Sequence, residues 1–381
     1  MADNGGKRIR VGLVGLGGMM NVHYEQLRKV PGMTVTAVCD MDPAKTAMWG
    51  ERLGLGEERR FSDAEALIAD GEVDAIVTAT PNDMHYAVAA ACLRAGKPVM
   101  TEKPFTRTYE EAAALRELAG TTGADCFVGF SYRYVPSFRM AREWIRDGRL
   151  GAIRHVFVQY LQDWGVPMQG TPMNWRWDRP VTGTGVLHDL GAHMIDAVRF
   201  LVGEPASAGG VLRNLIAERP LADGSGTATV DIDDFAAFTL LLENGVPAVC
   251  QTSRNAYGSG NQIELAIYGD LGTLHIGYEF GETLVWMHRD EETGAKSREE
   301  LRVPERYKLA QMADFADFAR GGADEAKPTL IDGYRNQLAL EAVVRSSETG
   351  RFVALEDVEA ERAETRTERA GRAAAAPEAT L

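Results

Sequence analysis

The stretch Ile9-Arg10-Val11-Gly12-Leu13-Val14-Gly15-Leu16-Gly17-Gly18-Met19-Met20 decides the fold. Its first six residues are an apolar run of strand length, and a segment with helical spacing begins at about residue 18. Between them, a glycine at 15 permits a tight turn. A glycine at 17 lets the backbone approach a pyrophosphate seated on the N-terminus of the following helix. Met20 stands where the G-x-G-x-x-G pattern has its third glycine, a position that serves helix–strand packing, so looser spacing is expected there. Asp40 ends the next apolar run, close to the ~20 positions at which a ribose-binding carboxylate is expected. It can accept hydrogen bonds from both adenosine ribose hydroxyls and would repel a 2′-phosphate. The expected cofactor is therefore NAD rather than NADP.

Outward from that turn, short apolar runs at 35–39, 75–79, 98–101 and 126–129 alternate with helical patterns at 43–54, 63–69, 82–95 and 109–122. Ser62-x-x-Glu65 and Thr108-x-x-Glu111 read as capping boxes. Gly96 and Gly123 stand where helices close with glycine. Unbroken apolar strands alternating with helices predict an α/β fold with a parallel, doubly wound sheet over residues 1–129.

After about residue 130 the pattern changes. A helix at 137–147 precedes a long alternating stretch, Ile153–Gln162. A loop rich in Trp, Pro and Gly follows at 163–185, then a helix at about 188–202. Residues 209–289 read as consecutive strands. Asn244-Gly245 marks a type I′ hairpin, and Gly269-Asp270-Leu271-Gly272 marks another turn. Helical spacing returns at 308–320 and 332–349. The expectation for 130–355 is a second domain built on a large, mostly antiparallel, open sheet. The Ala/Glu/Arg-rich stretch 359–381 reads as disordered.

Composition narrows the function. Forty-one Lys+Arg against 55 Asp+Glu leave the 381-residue chain at −14, which offers no footprint for nucleic acid or an anionic membrane. No apolar run approaches the ~18 residues of a membrane span. Lys7, Arg8 and Arg10 before an apolar run resemble a signal peptide, but the run is glycine-rich, no small-residue cleavage site follows, and residues 21–29 are polar and helical in pattern. Cys39, Cys92, Cys126 and Cys250 form no C-x-x-C pair, as expected of reduced core thiols in a cytoplasm. No metal-ligand spacing occurs.

Two segments at strand ends carry the chemistry. Thr78-Ala79-Thr80-Pro81-Asn82-Asp83-Met84-His85 closes the apolar run 75–79, and Glu102-Lys103-Pro104 follows the next. Both fall where open α/β sheets bind ligands. Lys103 would lie next to the nicotinamide and suits proton handling near neutral pH. Further on, Asp189 and His193 stand at i and i+4 behind a glycine-rich loop, with Asp196 one turn later. A carboxylate on the same helix face can orient the imidazole and raise its basicity, making His193 a general base.

Taken together, the glycine turn, T-P-N-x-x-H, E-K-P and D-x-x-x-H resemble the Gfo/Idh/MocA family of glucose–fructose oxidoreductase and inositol dehydrogenase, over about 8–355. That resemblance implies a Rossmann domain followed by an α/β domain whose open sheet face often forms the oligomer interface, hence a homodimer or homotetramer. It implies Lys103, Asp189 and His193 as the catalytic set. It places Gly15, Gly17, Gly18, Met19, Met20, Asp40, Thr80, Pro81, Asn82, His85, Glu102 and Lys103 at the cofactor, with Glu102 near the nicotinamide ribose.

For substrate, Tyr132 and Arg133 open the second domain and resemble a segment near the active cleft. Arg133 could bind hydroxyls or form a surface salt bridge. Trp164, Trp175, Arg176 and Trp177 make the loop aromatic, which suits the C–H faces of sugar rings or simple packing onto the sheet. His155 and His188 point towards the cleft in this reading, whereas His23, His275 and His288 read as structural. The expected activity is hydride transfer between NAD and a secondary alcohol of a sugar, cyclitol or glycoside, with His193 as acid/base and Lys103 assisting. Two alternatives stand beside it: an NAD-retaining enzyme that cleaves glycosides by transient oxidation and elimination, and a non-catalytic NAD-binding regulator.

Overall fold

The computed structural model describes residues 8–290 and 292–375. The first region holds six parallel strands: β1 (Ile9–Val14), β2 (Met33–Cys39), β3 (Arg60–Phe61), β4 (Ala75–Thr78), β5 (Val99–Thr101) and β6 (Cys126–Val128). Their order is β3-β2-β1-β4-β5-β6, so the sheet reverses direction at the β1/β4 boundary, the crevice where such sheets bind dinucleotides. Helices α1 (Gly18–Leu27), α2 (Pro43–Leu53), α3 (Ala64–Ala69), α4 (Asn82–Ala95) and α5 (Tyr109–Thr122) make the connections. The Thr108–Glu111 capping box forms, and Gly96 and Gly123 close α4 and α5 in the left-handed conformation. At α3 the cap is Asp63, whose carboxylate accepts the Glu65 amide, and not the expected Ser62. The two-residue β3 escaped the hydrophobic reading because Arg60-Phe61 has too few residues to show a period.

The second region contains α6 (Pro136–Arg146), β7 (Ile153–Gln162), α7 (Arg179–Thr182), a π-helical turn over Leu187–Gly191, and α8 (Ala192–Leu201). Strands β8 (Pro205–Arg213), β9 (Glu218–Pro220), β10 (Thr227–Thr229), β11 (Phe235–Leu242) and β12 (Pro247–Ser253) follow. After them come β13 (Asn261–Gly269), β14 (Gly272–Gly277), β15 (Thr283–Arg289) and β16 (Lys296–Arg302). Helices α9 (Gln311–Ala319) and α10 (Leu330–Thr349), strand β17 (Val353–Ala354) and helix α11 (Leu355–Ala375) complete the chain. Nine strands form one sheet in the order β16-β15-β14-β13-β7-β12-β11-β8-β17, antiparallel except for β12 against β7. Strands β9 and β10 pair as a separate ribbon.

Strand alternation sets the two faces of the large sheet apart. Val156, Val158, Phe238, Leu240, Ile263 and Leu265 are buried on the side towards α6, α8 and α10, while Phe157, Leu241 and Val249 are exposed on the other. The β11–β12 connection is a three-residue loop in place of the expected type I′ turn. The Leu242 carbonyl accepts the Gly245 amide, and the Leu242 amide donates to Val246. A type I′ turn needs two residues at positive φ; here Gly245 has φ 81° and Asn244 does not.

Residues 359–375 are helical, contrary to the expected disorder; 376–381 lie outside the described residues. Leu355 and Val358 are buried at the start of α11. Glu359 binds Arg116 and Tyr334, and Arg362 binds Glu117. Anchoring by α5 and α10 supplies what an Ala-rich helix without an apolar face lacks on its own.

Candidate active site

The glycine turn holds its shape through its neighbours. Gly15 has φ 81°, and a Cβ there would lie 2.9 Å from the Ala79 backbone and from the Thr80 side chain. Gly17 caps α1 without a side-chain bond, and a Cβ on Gly17 or Gly18 would meet nothing within 4 Å. The helix therefore begins bare of side chains, with open space before its first amides, which is the cradle a pyrophosphate needs. Asp40 Oδ2 accepts the Leu16 amide at 2.8 Å and Oδ1 the Asp42 amide at 3.0 Å, which braces the turn against the end of β2. These residues fit a dinucleotide. Met20 does not face that space. It is buried in the cluster that holds Leu13, Leu16, Met312 and Phe315, so α9, packed on α1, fills the place where close helix–strand packing would otherwise need glycine. Met19, one residue earlier, is exposed.

The T-P-N-x-x-H segment divides. Pro81 is exposed and Thr80 half-buried at the end of β4. The Asn82 carboxamide donates to the Thr182 carbonyl of the second domain at 3.3 Å. His85 is buried, with Nδ1 2.8 Å from the Pro104 carbonyl and Nε2 3.0 Å from that of Thr80. It ties two strand-end loops together with both ring nitrogens. Glu102 is also enclosed: Oε1 lies 2.6 Å from His23 Nε2, and Oε2 accepts the Lys103 amide at 3.1 Å. The sequence missed His23 as its partner; an i+5 His after the glycine turn is the only signal.

Beyond Glu102 the Lys103 side chain crosses to the second domain. Its Nζ donates to the Asp189 carboxylate at 2.7 Å and to the Asp189 carbonyl at 2.8 Å. The other carboxylate oxygen of Asp189 takes Arg254 Nη2 at 2.9 Å. Burial alone would raise this carboxyl, but Lys103 and Arg254 hold it well below the usual carboxylate range. His193 is 6% exposed, its ring edge-on to Tyr132 at 4.5 Å, and its Nδ1 is enclosed without a partner. Burial, reinforced by Lys103 and opposed by Asp189, pushes its pKa well below the ordinary value, so the imidazole is neutral.

The expected Asp189–His193 hydrogen bond is not formed. Both carboxylate oxygens of Asp189 are taken instead, one by Lys103 and the other by Arg254. Asp196 does not orient the imidazole either, because it is bound by Arg133. Arg133 is 3% exposed, with Nη2 and Nε on Asp196 at 2.6 and 3.0 Å and Nη2 on Asp332 at 2.8 Å. It is thus neither a hydroxyl ligand nor a surface ion pair, but a buried tie between the turn after β6, α8 and α10. His188, too, is withdrawn from the cleft. Its Nδ1 accepts the Thr184 amide, its Nε2 lies 3.0 Å from the Gln337 carboxamide, and burial lowers its pKa to about 4. His155 lies on the outer sheet face, stacked on Tyr268 at 4.4 Å.

The aromatic loop reaches the same place. Trp177 is buried between Arg219 and Arg254, at 3.8 and 4.9 Å. Trp164 packs on Trp177 at 5.1 Å and donates Nε1 to Gln162 at 2.5 Å. Trp175 is exposed, with the Arg176 guanidinium 4.3 Å over its ring. Asp233 sets the π turn by accepting the Gly185 and Leu187 amides at 2.7 and 2.8 Å; a Cβ on Gly185 would lie 1.8 Å from the Asp233 carbonyl. Tyr132 bonds Tyr160 at 2.6 Å, and Tyr160 bonds Asn261 at 2.9 Å. Beside them a cavity of about 750 Å³ runs from Met19 and His23 on α1 to Asn261 and Tyr278 on the second domain. Arg254, Asp233, Tyr160 and Asn261 carried no sequence signal, being single polar residues at strand ends or on strands.

Residues 9–130 match the model described as an oxidoreductase family with an NAD-binding Rossmann fold, and 138–275 match the GFO/IDH/MocA C-terminal domain. The chain is 29% identical over 381 residues to levoglucosan dehydrogenase of Pseudarthrobacter phenanthrenivorans, covering 90% of this chain and 96% of that one. It is 30% identical over 345 residues to inositol 2-dehydrogenase 2 of Saccharopolyspora erythraea, covering 90% and 94%. The solved levoglucosan dehydrogenase in complex with NADH and L-sorbose superposes with a TM-score of 0.85 at 28% identity, over 92% of this chain and 99% of that one.

Proposed function

The chain belongs to the GFO/IDH/MocA family of NAD-binding oxidoreductases, and from that premise we propose that it is an NAD-dependent dehydrogenase of a ring secondary alcohol on a sugar, anhydrosugar or cyclitol. The observation that carries the reading is the Lys103–Asp189 contact beside a neutral His193. It joins a strand end of the cofactor sheet to the second domain at the place where nicotinamide and substrate would meet.

NAD, when bound, supplies the hydride acceptor. Gly17, Gly18 and the first turn of α1 would hold its pyrophosphate, and Asp40 the adenosine ribose. The residues of the chain do the rest. Uncharged His193 takes the hydroxyl proton at Nε2, the ring nitrogen other than the enclosed Nδ1. Lys103 Nζ donates to the same oxygen and stabilises charge developing on it. Asp189 keeps Lys103 in place. The exposed Trp175–Arg176 stack offers an apolar face and a donor to a sugar ring.

We propose a cytoplasmic enzyme, a reading that four free, buried cysteines support. Among the described residues no helix is long and apolar enough to cross a membrane. Phe157, Val211, Leu241 and Val249 on the outer sheet face are offered to a second copy, giving a homodimer or homotetramer; light scattering after gel filtration reads this directly.

The test is NADH formation from NAD with levoglucosan, myo-inositol, aldoses and their glycosides. Turnover of a ring alcohol is expected. Free sugar released from a glycoside without net NADH would replace the reading by elimination chemistry. NADH binding with no reaction on any member would leave a regulator.

A further inference from the structure

Arg254 lies one residue past the end of β12, in no recognisable motif. Its side chain is 1% exposed, yet it is a permanent cation. Its backbone is held at both ends: the amide donates to the Asp234 carbonyl at 3.1 Å, and the carbonyl accepts the Gly165 amide at 2.9 Å. From that anchor the guanidinium reaches the Asp189 carboxylate at 2.9 Å and the Arg176 carbonyl at 3.3 Å. The rings of Trp164 and Trp177 lie 5.0 and 4.9 Å away. One side chain thus touches both the carboxylate that holds Lys103 and the loop that carries Trp175 and Arg176. Its Nε is enclosed without an acceptor, so the arrangement is not the one that would maximise stability.

We propose that Arg254 is a positioning residue for the reaction, fixing Asp189 and through it the Lys103 amine, and coupling both to the aromatic loop. This rests on the dehydrogenase reading above. Asp189 stands between two cations, so neither alone sets where its carboxylate lies. When Lys103 Nζ turns a hydrogen bond to the substrate oxygen, Arg254 still holds the carboxylate in place. Sharing Asp189 with Arg254 also leaves Lys103 less tightly held and freer to donate that hydrogen bond. The Arg176 carbonyl on the same guanidinium keeps the substrate loop in register with the lysine.

The experiment uses the full-length enzyme with Arg254→Gln and Arg254→Lys, with NADH affinity read by fluorescence and turnover on whichever ring alcohol the wild type oxidises. Arg254→Gln is expected to lower kcat by about 10²-fold, the size of a roughly 1 Å misplacement, with NADH affinity unchanged. Arg254→Lys, which keeps the charge but not the fork, is expected to recover most of that loss. Equal kcat in wild type and Arg254→Gln, or parallel loss of turnover and NADH binding in both variants, overturns the proposal. If only Arg254→Gln fails to bind NADH, Arg254→Lys decides: a reduced kcat at normal NADH affinity supports the role, and wild-type kcat overturns it.

If the wild type oxidises nothing on the panel, the dehydrogenase reading has failed and the lysine itself decides. Its amine faces Asp189 and His193 from the π turn and α8, Arg254 from the end of β12, and Glu102 and His85 from the cofactor domain. Acylation of Lys103 at one fixed pH, read by mass spectrometry, is expected to be slower in Arg254→Gln, because Asp189 then belongs to Lys103 alone. An unchanged rate overturns the coupling.

Discussion

The glycine turn after β1 and the π turn carrying Asp189 both follow glycines and both face the cleft, yet they are held differently. The first is fixed by backbone: Gly15 at φ 81°, the Ala79 main chain against it, and one carboxylate from the next strand. The second is fixed by side chains from three other places: Lys103 from the cofactor domain, Arg254 from β12 and Asp233 from the approach to β11. A dinucleotide cradle needs open amides, which short local sequence provides. A charged centre in a buried site needs counter-charges, and those arrive from distant segments because neighbours along a helix cannot surround one residue.

The sharpest way to break this contrast is to remove the chemistry while leaving both frames. Lys103→Ala and His193→Ala should each lower kcat by about 10²–10⁴-fold with NADH binding retained. Steady-state kinetics beside fluorescence titration checks this, and turnover near wild type in either variant removes that residue from the mechanism. Next in size is the long-range frame. Arg133→Met takes both hydrogen-bond donors from buried Asp196, leaving only Arg199 at 4.0 Å, and should cost about 3 kcal/mol in denaturant unfolding. The substrate KM of the folded fraction should hold, whereas a large rise in KM would return Arg133 to the substrate.

Acid should act on the side-chain frame more than on the backbone one. Burial lowers the pKa of His85, His188 and His193 from 6.5, to about 4 for His188. The folded state therefore binds their protons less readily than the unfolded chain. Stability should be level above about pH 6.5 and fall below it, by about 1.4 kcal/mol per pH unit for each histidine still neutral in the fold. Unfolding midpoints measured between pH 7 and 5 read this. In His188→Gln the slope should lose one histidine's share, and an unchanged slope would show that His188 is protonated in the fold. The smallest effect belongs to local backbone alone: Thr108→Ala removes the cap of α5 and should cost about 1 kcal/mol without touching kinetics, which a thermal melt resolves.

Legibility followed the same division. Gly15, Gly17 and Asp40 announced the cradle because a strand, a turn and a helix must follow one another within about thirty residues. Lys103, Asp189 and His193 were legible as motif members, but their arrangement was not. Spacing along a helix put Asp189 on His193; in the fold its two carboxylate oxygens go to Lys103 and Arg254. Arg133 looked like a surface or substrate residue because Asp196 and Asp332, its partners, are 63 and 199 positions away. The tail looked disordered because Arg116, Glu117 and Tyr334 were needed to hold it.

By itself the amino-acid order determined the parallel cofactor sheet, its glycine turn, the caps of α4 and α5 and the change to an antiparallel second region. Each of these follows from periodicity or backbone conformation within a few residues. Only the tertiary structure decided which charges meet: that Asp189 is shared by two cations, that His193 is neutral and unbraced, and that Arg133 and His188 are turned away from the cleft. Electrostatic pairing in a buried site acts through space, and separation along the chain carries no trace of it.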